Sequence, residues 1–310
     1  MAAPTALELS HYSTLGLDVQ TLPQRRLGKT EERVPLLGLG TGPCGFGMTD
    51  EDAIRLIHAA IDCGVTYIDT APGYDRAQAQ LGQVLPSRRD EVFLATKCFN
   101  QTAQGALEII ERSLETLGTD HVDLLYSHSM GAVDVDRILR PDGAFAGIRE
   151  AQRRGWTRFI GFTAHNHPWK CARLLREIDV DVVMLAMNYA DRFTYGFERT
   201  VAPLARRYDV GLVCMKVYGG ADAMDYNTPV ACAMGVDRDL QLAFRYALSI
   251  PGCATAVIGV YNEQELEQNV RWAQEWTPLS PVELAALDQD GATLAEQWGT
   301  HFGPAQPYDV

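Results

Sequence analysis

Four polar side chains with complementary chemistry close or follow segments rich in β-forming residues. Residues 65–69 (VTYID) end in Asp69, and Tyr74 follows after a Pro-Gly turn. Later segments end in the same way, with Lys97 closing VFLATK and His128 closing VDLLYSH. If these segments are parallel strands of one barrel, their carboxyl ends meet at one rim and the four side chains converge. The sequence therefore predicts a site that donates a proton and holds a negative charge.

The residue types suggest a division of roles. A free phenol has a pKa of about 10 and donates poorly near neutrality, but a neighbouring ammonium favours the phenolate. We expect Lys97 to supply that positive charge and Asp69 to hold Lys97 in place. His128 would orient a carbonyl oxygen or share the proton with Tyr74. These roles describe general-acid catalysis with stabilisation of a developing oxyanion.

Composition restricts the partners. The chain of 310 residues is 46% hydrophobic and 22% charged, as is usual for a globular protein with a full core. Its formal net charge of -13 argues against a nucleic-acid footprint, which needs clustered Lys and Arg. We therefore expect a small organic or locally neutralised ligand, and no nucleic-acid partner. Length and composition leave the oligomeric state open.

Cysteine and charge patterns bear on the compartment. The seven cysteines are scattered without a CxxC pair, which is typical of thiols in a reducing compartment. No apolar run reaches the roughly 18 residues of a membrane helix, and the first twenty residues lack the basic start of a signal peptide. We expect a cytoplasmic protein without a membrane partner. His165 and His167 lack Cys or acidic partners at ligand spacing, so we expect no metal.

Strand and helix patterns alternate along the chain. Residues 1–24 show no sustained period and are interpreted as an N-terminal extension, either draped on the body or disordered. Two segments around a polar turn, at 26–30 and 34–39, predict a small hairpin that leads into a first strand. Further strands are predicted at 65–69, 91–96, 122–127, 158–162, 181–186, 210–215 and 255–258. A first helix is predicted from a capping box at Thr49 and Asp52 to its end at Gly64. Further helices are predicted over about 76–84, 103–117, 144–154, 168–177, 198–208, 238–249 and 263–274.

Eight strand–helix units without a break in composition favour an α/β fold, the (β/α)8 TIM barrel, as a single domain over residues 25–310. A last helix near 281–297 and the terminal segment HFGPAQPYDV lie outside the eight units. The glycine-rich residues 38–47 are interpreted as a loop. The longest stretch without a pattern is 217–237, after the seventh strand, where a barrel often carries function.

Several motifs in order resemble the aldo-keto reductases. They are RRLGKTEERVPLLGLGT, YIDTAPGY, FLATK, VDLLYSH, RFIGFTAHN and NEQELEQN, and they span about residues 25–269. The resemblance implies that Asp69, Tyr74, Lys97 and His128 form a catalytic tetrad with Tyr74 as the proton donor. It also implies a nicotinamide dinucleotide extended along the barrel mouth, and hydride transfer to an aldehyde or ketone.

The sequence departs from the family pattern at several positions. The family's YGxSExxLG reads YDRAQAQLG here, with Asp75, Ala77 and Gln78 in place of Gly, Ser and Glu. A Ser-Asn pair is replaced by Thr163-Ala164, which keeps a hydroxyl and loses an amide. The glutamine that meets the nicotinamide amide falls on Met184. The stacking aromatic falls on Met215, whose thioether still covers a ring face.

The resemblance also implies the contacts of the cofactor. Thr163, Met215 and Lys216 would lie at the nicotinamide and diphosphate, and Asn269 would face the adenine. Gly259 and Glu265 stand where members preferring the phosphorylated cofactor often carry Lys and Arg. An acid repels a phosphate and accepts a hydrogen bond from a ribose hydroxyl, so NAD(H) is favoured over NADP(H).

Alternatives stay open at this level. The carboxylate of Glu265 fits a capping box and would then only cap the last helix of the eight units. Lys216 would touch either the diphosphate or solvent. The whole chain could be a cofactor-binding regulatory subunit with little turnover, an alternative that the altered positions Ala164 and Met184 leave open. Lys97 could instead form a Schiff base in an aldolase, although Asp69 would oppose this by keeping the ammonium charged.

Overall fold

The computed structural model describes residues 22–221, 232–235 and 237–305. Its main sheet is a closed barrel of eight parallel strands, in which each strand pairs with the next and the last pairs with the first. The barrel strands are β3 (Leu37–Gly40), β4 (Tyr67–Asp69), β5 (Phe93–Cys98), β6 (Val122–Ser127), β7 (Thr157–Ala164), β8 (Val182–Ala186), β9 (Gly211–Met215) and β10 (Cys253–Ile258). The predicted (β/α)8 barrel is confirmed.

Helices surround the barrel. They are α1 (Gly42–Gly47), α2 (Asp50–Asp62), α3 (Ala77–Arg88), α4 (Ala103–Leu117), α5 (Val135–Leu139), α6 (Ala144–Arg153), α7 (Pro168–Glu177), α8 (Asp191–Thr194), α9 (Phe197–Thr200), α10 (Ala202–Arg207), α11 (Leu240–Ser249), α12 (Glu263–Gln274) and α13 (Pro281–Trp298). Local signals fix several ends. The Thr102 side chain caps α4 by accepting from the Gly105 amide, and Gly118 ends the helix in the left-handed region at a φ of 65°.

Two of the predicted elements are corrected. The glycine-rich stretch 38–47 was expected to be a loop, but it contains α1, which begins with Pro43 in its first turn. The helix predicted over 198–208 is divided into α9 and α10 at Val201, because Pro203 starts a new helix. Most of the pattern-free stretch 217–237 and nearly all of the extension 1–24 lie outside the described residues.

A hairpin covers the amino-terminal end of the barrel, as the sequence predicts. Strands β1 (Gln24–Arg26) and β2 (Arg33–Pro35) pair antiparallel around a short 3-10 turn, and Leu27 between them is fully buried. Gly28 has a φ of 54°, and a Cβ there would come within 2.2 Å of the Gly211 amide nitrogen. Only glycine permits both the conformation and this close approach.

Buried side chains form two layers, one inside the barrel and one between the barrel and its helices. Inside, the hydroxyl groups of Tyr67 and Tyr126 lie 2.9 Å apart and satisfy each other's polarity in an apolar environment. Near the amino ends of the strands, the carboxylate of Asp123 accepts from the Leu94 amide and from Arg89 and Arg158. This cluster ties β5, β6 and β7 together away from the predicted site.

The end of the described chain returns to the opposite rim. Helix α13 packs beside α8, where Tyr189 donates to Asp290 at 2.8 Å. Residues 299–305, which we call the tail, then cross the carboxyl ends of the strands. No helix among the described residues is long and apolar enough to cross a membrane.

Candidate active site

The ammonium of Lys97 lies at the centre of the site. It donates to Asp69 Oδ2 and, at 2.9 Å, to the carbonyl oxygen of Thr70, and it lies 4.7 Å from the centroid of the Tyr74 ring. Burial lowers the pKa of Lys97, but attraction to Asp69 and Tyr74 outweighs it and raises that pKa above the usual value. A lysine that stays charged is a poor Schiff-base nucleophile, which argues against the aldolase alternative.

Asp69 holds Lys97 with one oxygen and leaves the other without a partner. Its side chain is 4% exposed at the end of β4, and burial raises its pKa while the charge of Lys97 opposes that rise. The second oxygen, Oδ1, is buried and has no hydrogen-bond partner among the described residues. A buried acceptor of this kind suits a hydroxyl donor from a bound ligand.

His128 stands edge-on to Tyr74 across the mouth. Their ring centroids lie 6.4 Å apart at an interplanar angle of 85°. Burial, with the nearby charges of Lys97 and Lys216, lowers the pKa of His128 to about 3. His128 is therefore a neutral imidazole near pH 7, able to donate one hydrogen bond and accept another. It suits the orientation of a carbonyl oxygen better than proton donation.

The altered positions beside Tyr74 have structural substitutes. Gln78 donates to the Thr96 hydroxyl at 2.9 Å, which links α3 to the strand that carries Lys97. Asp75 adopts a φ of 45°, so a glycine-like turn persists without glycine. Behind the turn, a Cβ on Gly45 of α1 would come within 1.8 Å of the Tyr74 carbonyl oxygen. Tyr74 thus rests directly on α1.

Of the residues expected at the nicotinamide end, Thr163 lies on β7 and Met215 on β9, and Lys216 directly follows β9. Thr163 is buried and accepts from the Ser129 amide at 2.9 Å, so it supports the loop that follows His128. Met215 lines the barrel interior with Met184. Lys216 is in the left-handed region at a φ of 56°, and its charge reaches both Asp69 and His128.

Of the residues expected at the adenosine end, Gly259 directly follows β10, and Glu265 and Asn269 lie on α12. Both oxygens of Glu265 accept hydrogen bonds at the start of α12, from the Tyr261 amide and from the Asn262 side chain at 2.9 Å each. Asn269 accepts from the Tyr218 hydroxyl at 2.6 Å and donates to the Glu265 carbonyl at 2.7 Å. The Asn262 side chain caps α12 by accepting from the Glu265 amide. The Glu265 carboxylate accepts from the Tyr261 amide and not from the Asn262 amide, so the predicted capping box is only half formed.

Close packing leaves room only for glycine at position 259. A Cβ there would come within 2.7 Å of the Pro43 ring on α1. A lysine at this position would have to displace α1. Next to it, a cavity of about 470 Å³ opens between the α1–α2 turn and the start of α12. It is lined by Gly47, Met48, Thr49, Asp52, Arg55, Leu56, Tyr261, Asn262, Glu263 and Gln264.

A second imidazole, that of His165, lies at the mouth close to that of His128. His165 follows β7, and burial with the charge of Lys216 lowers its pKa well below the usual value. Among the described residues, neither ring of His128 and His165 has a hydrogen-bond partner. The position of His165 shortly after a predicted strand is the signal in the sequence that could have placed it in the site. Phe302, whose ring centroid lies 5.6 Å from that of His165, has no such signal because it belongs to the tail.

No group of three or more His, Cys, Asp or Glu within the described ranges could hold a metal ion.

Comparison with known proteins identifies the family. The model of the Aldo/keto reductase family matches residues 36–227. The chain belongs to this family. Aldo/keto reductases are oxidoreductases that use nicotinamide cofactors.

Relatives match over most of the chain. Pyridoxal 4-dehydrogenase of Microbacterium luteolum is 26% identical, with 82% of this chain and 94% of that protein covered. L-galactose dehydrogenase of Arabidopsis thaliana is 24% identical, with 88% and 92% covered. Among solved structures, a putative aldo-keto reductase from Pseudomonas aeruginosa superposes with a TM-score of 0.68 at 27% identity, covering 83% of this chain and 97% of that one.

Proposed function

We propose that this aldo/keto reductase reduces an aldehyde or ketone reversibly to an alcohol, with Tyr74 as the general acid and NAD(H) as the preferred cofactor. The observation that carries the proposal is the position of the Lys97 ammonium, held by Asp69 and lying against the Tyr74 ring. A positive charge there stabilises the negative charge that develops on the phenol oxygen as its proton leaves.

The chemistry divides between the ligand and the chain. A bound nicotinamide supplies the hydride to the carbonyl carbon. Tyr74 gives its proton to the carbonyl oxygen, so the double bond gains one hydrogen at each end. Neutral His128 donates a hydrogen bond that holds the carbonyl oxygen beside Tyr74. The unpartnered Asp69 Oδ1 fits a ribose hydroxyl of the same cofactor.

The preference for NAD(H) rests on the adenosine end. Gly259 leaves no room for a lysine, and the carboxylates of Glu263 and Glu265 lie at the start of α12 beside the cavity. A 2′-phosphate there would meet negative charge, whereas ribose hydroxyls would find acceptors. Arg55 is nearby, but Asp52 and Glu263 already pair with it at 2.6 and 3.0 Å.

A hydroxylated, sugar-like carbonyl compound is the substrate class that we propose. His128 and His165 present neutral ring nitrogens at the mouth, and each can exchange one donor and one acceptor with hydroxyl groups. The relatives named for L-galactose and for pyridoxal act, by those names, on small hydroxylated aldehydes. D-threo-aldose 1-dehydrogenase of Pseudomonas sp. is 29% identical over half of this chain.

The substitution Tyr74→Phe tests the catalytic assignment. It removes the proton donor and keeps the ring against Lys97, so turnover should fall by a factor of about 100 or more while dinucleotide binding persists. Steady-state absorbance and fluorescence titration with NADH and NADPH at equal concentrations measure both properties and the cofactor preference. Unchanged turnover would refute the role of Tyr74, and a clear advantage for NADPH would refute the preference. Stoichiometric binding without turnover across a carbonyl panel would favour the regulatory-subunit alternative.

A further inference from the structure

The tail places an aromatic side chain in the barrel mouth. The Phe302 ring packs against the cluster inside the barrel, to which Met184 and Met215 belong. Its centroid lies 6.0 Å from that of Tyr195 in addition to its contact with His165. Phe302 is therefore a wall of the space in which a carbonyl substrate would lie.

Two anchors hold the tail in this position. The Tyr195 hydroxyl accepts from the Phe302 amide at 2.8 Å and donates to the Gly303 carbonyl at 3.1 Å. The second anchor is the imidazole of His301, which lies 2.9 Å from Asp191 Oδ1. The Asp191 side chain is 1% exposed, so the tail is held by a hydrogen bond to a buried carboxylate.

The second anchor continues inward to the cofactor side. The other oxygen of Asp191 accepts from Asn188 Nδ2 at 2.6 Å, and the same nitrogen donates to the Lys216 carbonyl at 3.0 Å. An amide nitrogen has two hydrogens, so both are used. The Asn188 oxygen accepts from the Ala190 and Asp191 amides, which fixes the direction of the side chain.

Lys216 needs such support. Its left-handed backbone conformation costs a β-carbon-bearing residue free energy and persists only where neighbours enforce it. Its carbonyl accepts from Asn188 and, at 2.9 Å, from the Gly219 amide. A rotation of the Asn188 amide would release one of these two bonds.

We propose that Asp191 is a positioning residue that couples the seating of the tail to the conformation of Lys216. His301 and Asn188 bind opposite oxygens of one carboxylate, so loss of the His301 contact frees the carboxylate to rotate and weakens the bond that holds Lys216. The tail thereby forms part of the carbonyl pocket through Phe302 and strengthens cofactor binding at Lys216 through His301. The inference rests on the proposed function, because Lys216 is the proposed cofactor contact.

The test compares His301→Phe, Asp191→Asn and the double variant in the full chain. His301→Phe keeps a ring beside Phe302 and removes the hydrogen bond to Asp191. Each single variant should raise the Kd for NADH by about threefold to tenfold, measured by fluorescence titration. The Kd for NADH of the double variant should be no higher than that of the single variant that binds NADH more weakly, because both changes break the same chain of contacts.

Phe302→Leu is the matched control. It changes the wall of the carbonyl pocket and leaves the His301–Asp191 contact intact, so it should raise the carbonyl KM while the Kd for NADH stays within about twofold of that of the unmodified protein. An unchanged Kd in His301→Phe would overturn the coupling even if Asp191→Asn failed to fold. Additive effects in the double variant would overturn it as well. An unmodified protein that binds neither NADH nor NADPH would instead refute the proposed function, and the coupling with it.

Discussion

Protonation of the His128 imidazole links the candidate active site to the pH dependence of protein stability. Burial and the nearby charges of Lys97 and Lys216 lower the pKa of His128 to about 3 in the folded protein, so its imidazole stays neutral until the pH approaches that value. In the unfolded chain a histidine takes up a proton near pH 6.5. Protons therefore favour the unfolded state below that pH, and the stability present above pH 6.5 is lost as the pH falls.

This difference predicts an acid-dependent loss of stability. Between pH 7 and pH 5, His128 alone should cost about 2 kcal/mol of unfolding free energy. His128→Gln, which cannot titrate, should remove that part of the dependence. Urea unfolding at the two pH values measures the change. The same pH dependence in both proteins would show that the pKa of His128 is not lowered in the folded protein.

How much of the site the sequence predicts depends on where each residue lies. Lys97 lies near the end of an apolar strand and His128 directly follows one, so their position at the rim follows from the barrel rule. Asp191 and Phe302 lie in a short helix and in the tail, where no periodicity indicates direction. The tail's path over the mouth is set by contacts between residues far apart in sequence, and no local pattern encodes them.

At the scale of elements, α1 supports the turn that carries Tyr74, the proposed proton donor. It occupies the glycine-rich stretch that sequence reasoning treated as a loop. Glycine is required at position 45 because the helix backbone lies against the turn that carries Tyr74. On its other side α1 packs through Pro43 against Gly259, which follows β10. Low helix propensity in this stretch hid a helix that tertiary packing stabilises.

Two alanine substitutions within α1 separate packing from propensity. Gly45→Ala places a methyl group on the Tyr74 carbonyl, so it should lower kcat by about tenfold or more and destabilise the protein by about 1–3 kcal/mol. Gly42→Ala is the control, because a Cβ there meets nothing within 4 Å. It should leave kcat unchanged. Steady-state kinetics and thermal unfolding would measure both, and equal effects of the two changes would contradict the proposed support.

At the scale of the whole molecule, the two ends of the barrel have different tasks. The carboxyl end gathers the tetrad, whereas the amino end holds the hairpin and the Asp123 cluster. We propose that residues 25–310 fold as one domain, because the hairpin, all eight strands and α13 contact the same barrel. The sequence indicated the eight units, but the Asp123 cluster joins three strands and has no signature in any one of them.

Asp123→Ala tests the separation of the two ends. It leaves Arg89 and Arg158 without their buried partner and frees the Leu94 amide, so unfolding should become easier by about 3 kcal/mol. Turnover per folded molecule should not change. Asp142→Ala, which removes an exposed partner of Arg137, should have almost no effect on urea unfolding. A large loss of turnover in folded Asp123→Ala would show that the two ends are not independent.

The closure of the barrel has a consequence for how the chain folds during synthesis. Strand β3 pairs with β4 on one side and with β10 on the other, with Leu37 opposite Ala256. A nascent chain therefore carries β3 with one open edge until nearly all of the protein has left the ribosome. Pairings between distant segments form slowly because the loop between them must close first. Until that late pairing, the exposed edge of β3 is a surface on which unfinished chains can aggregate or chaperones can act.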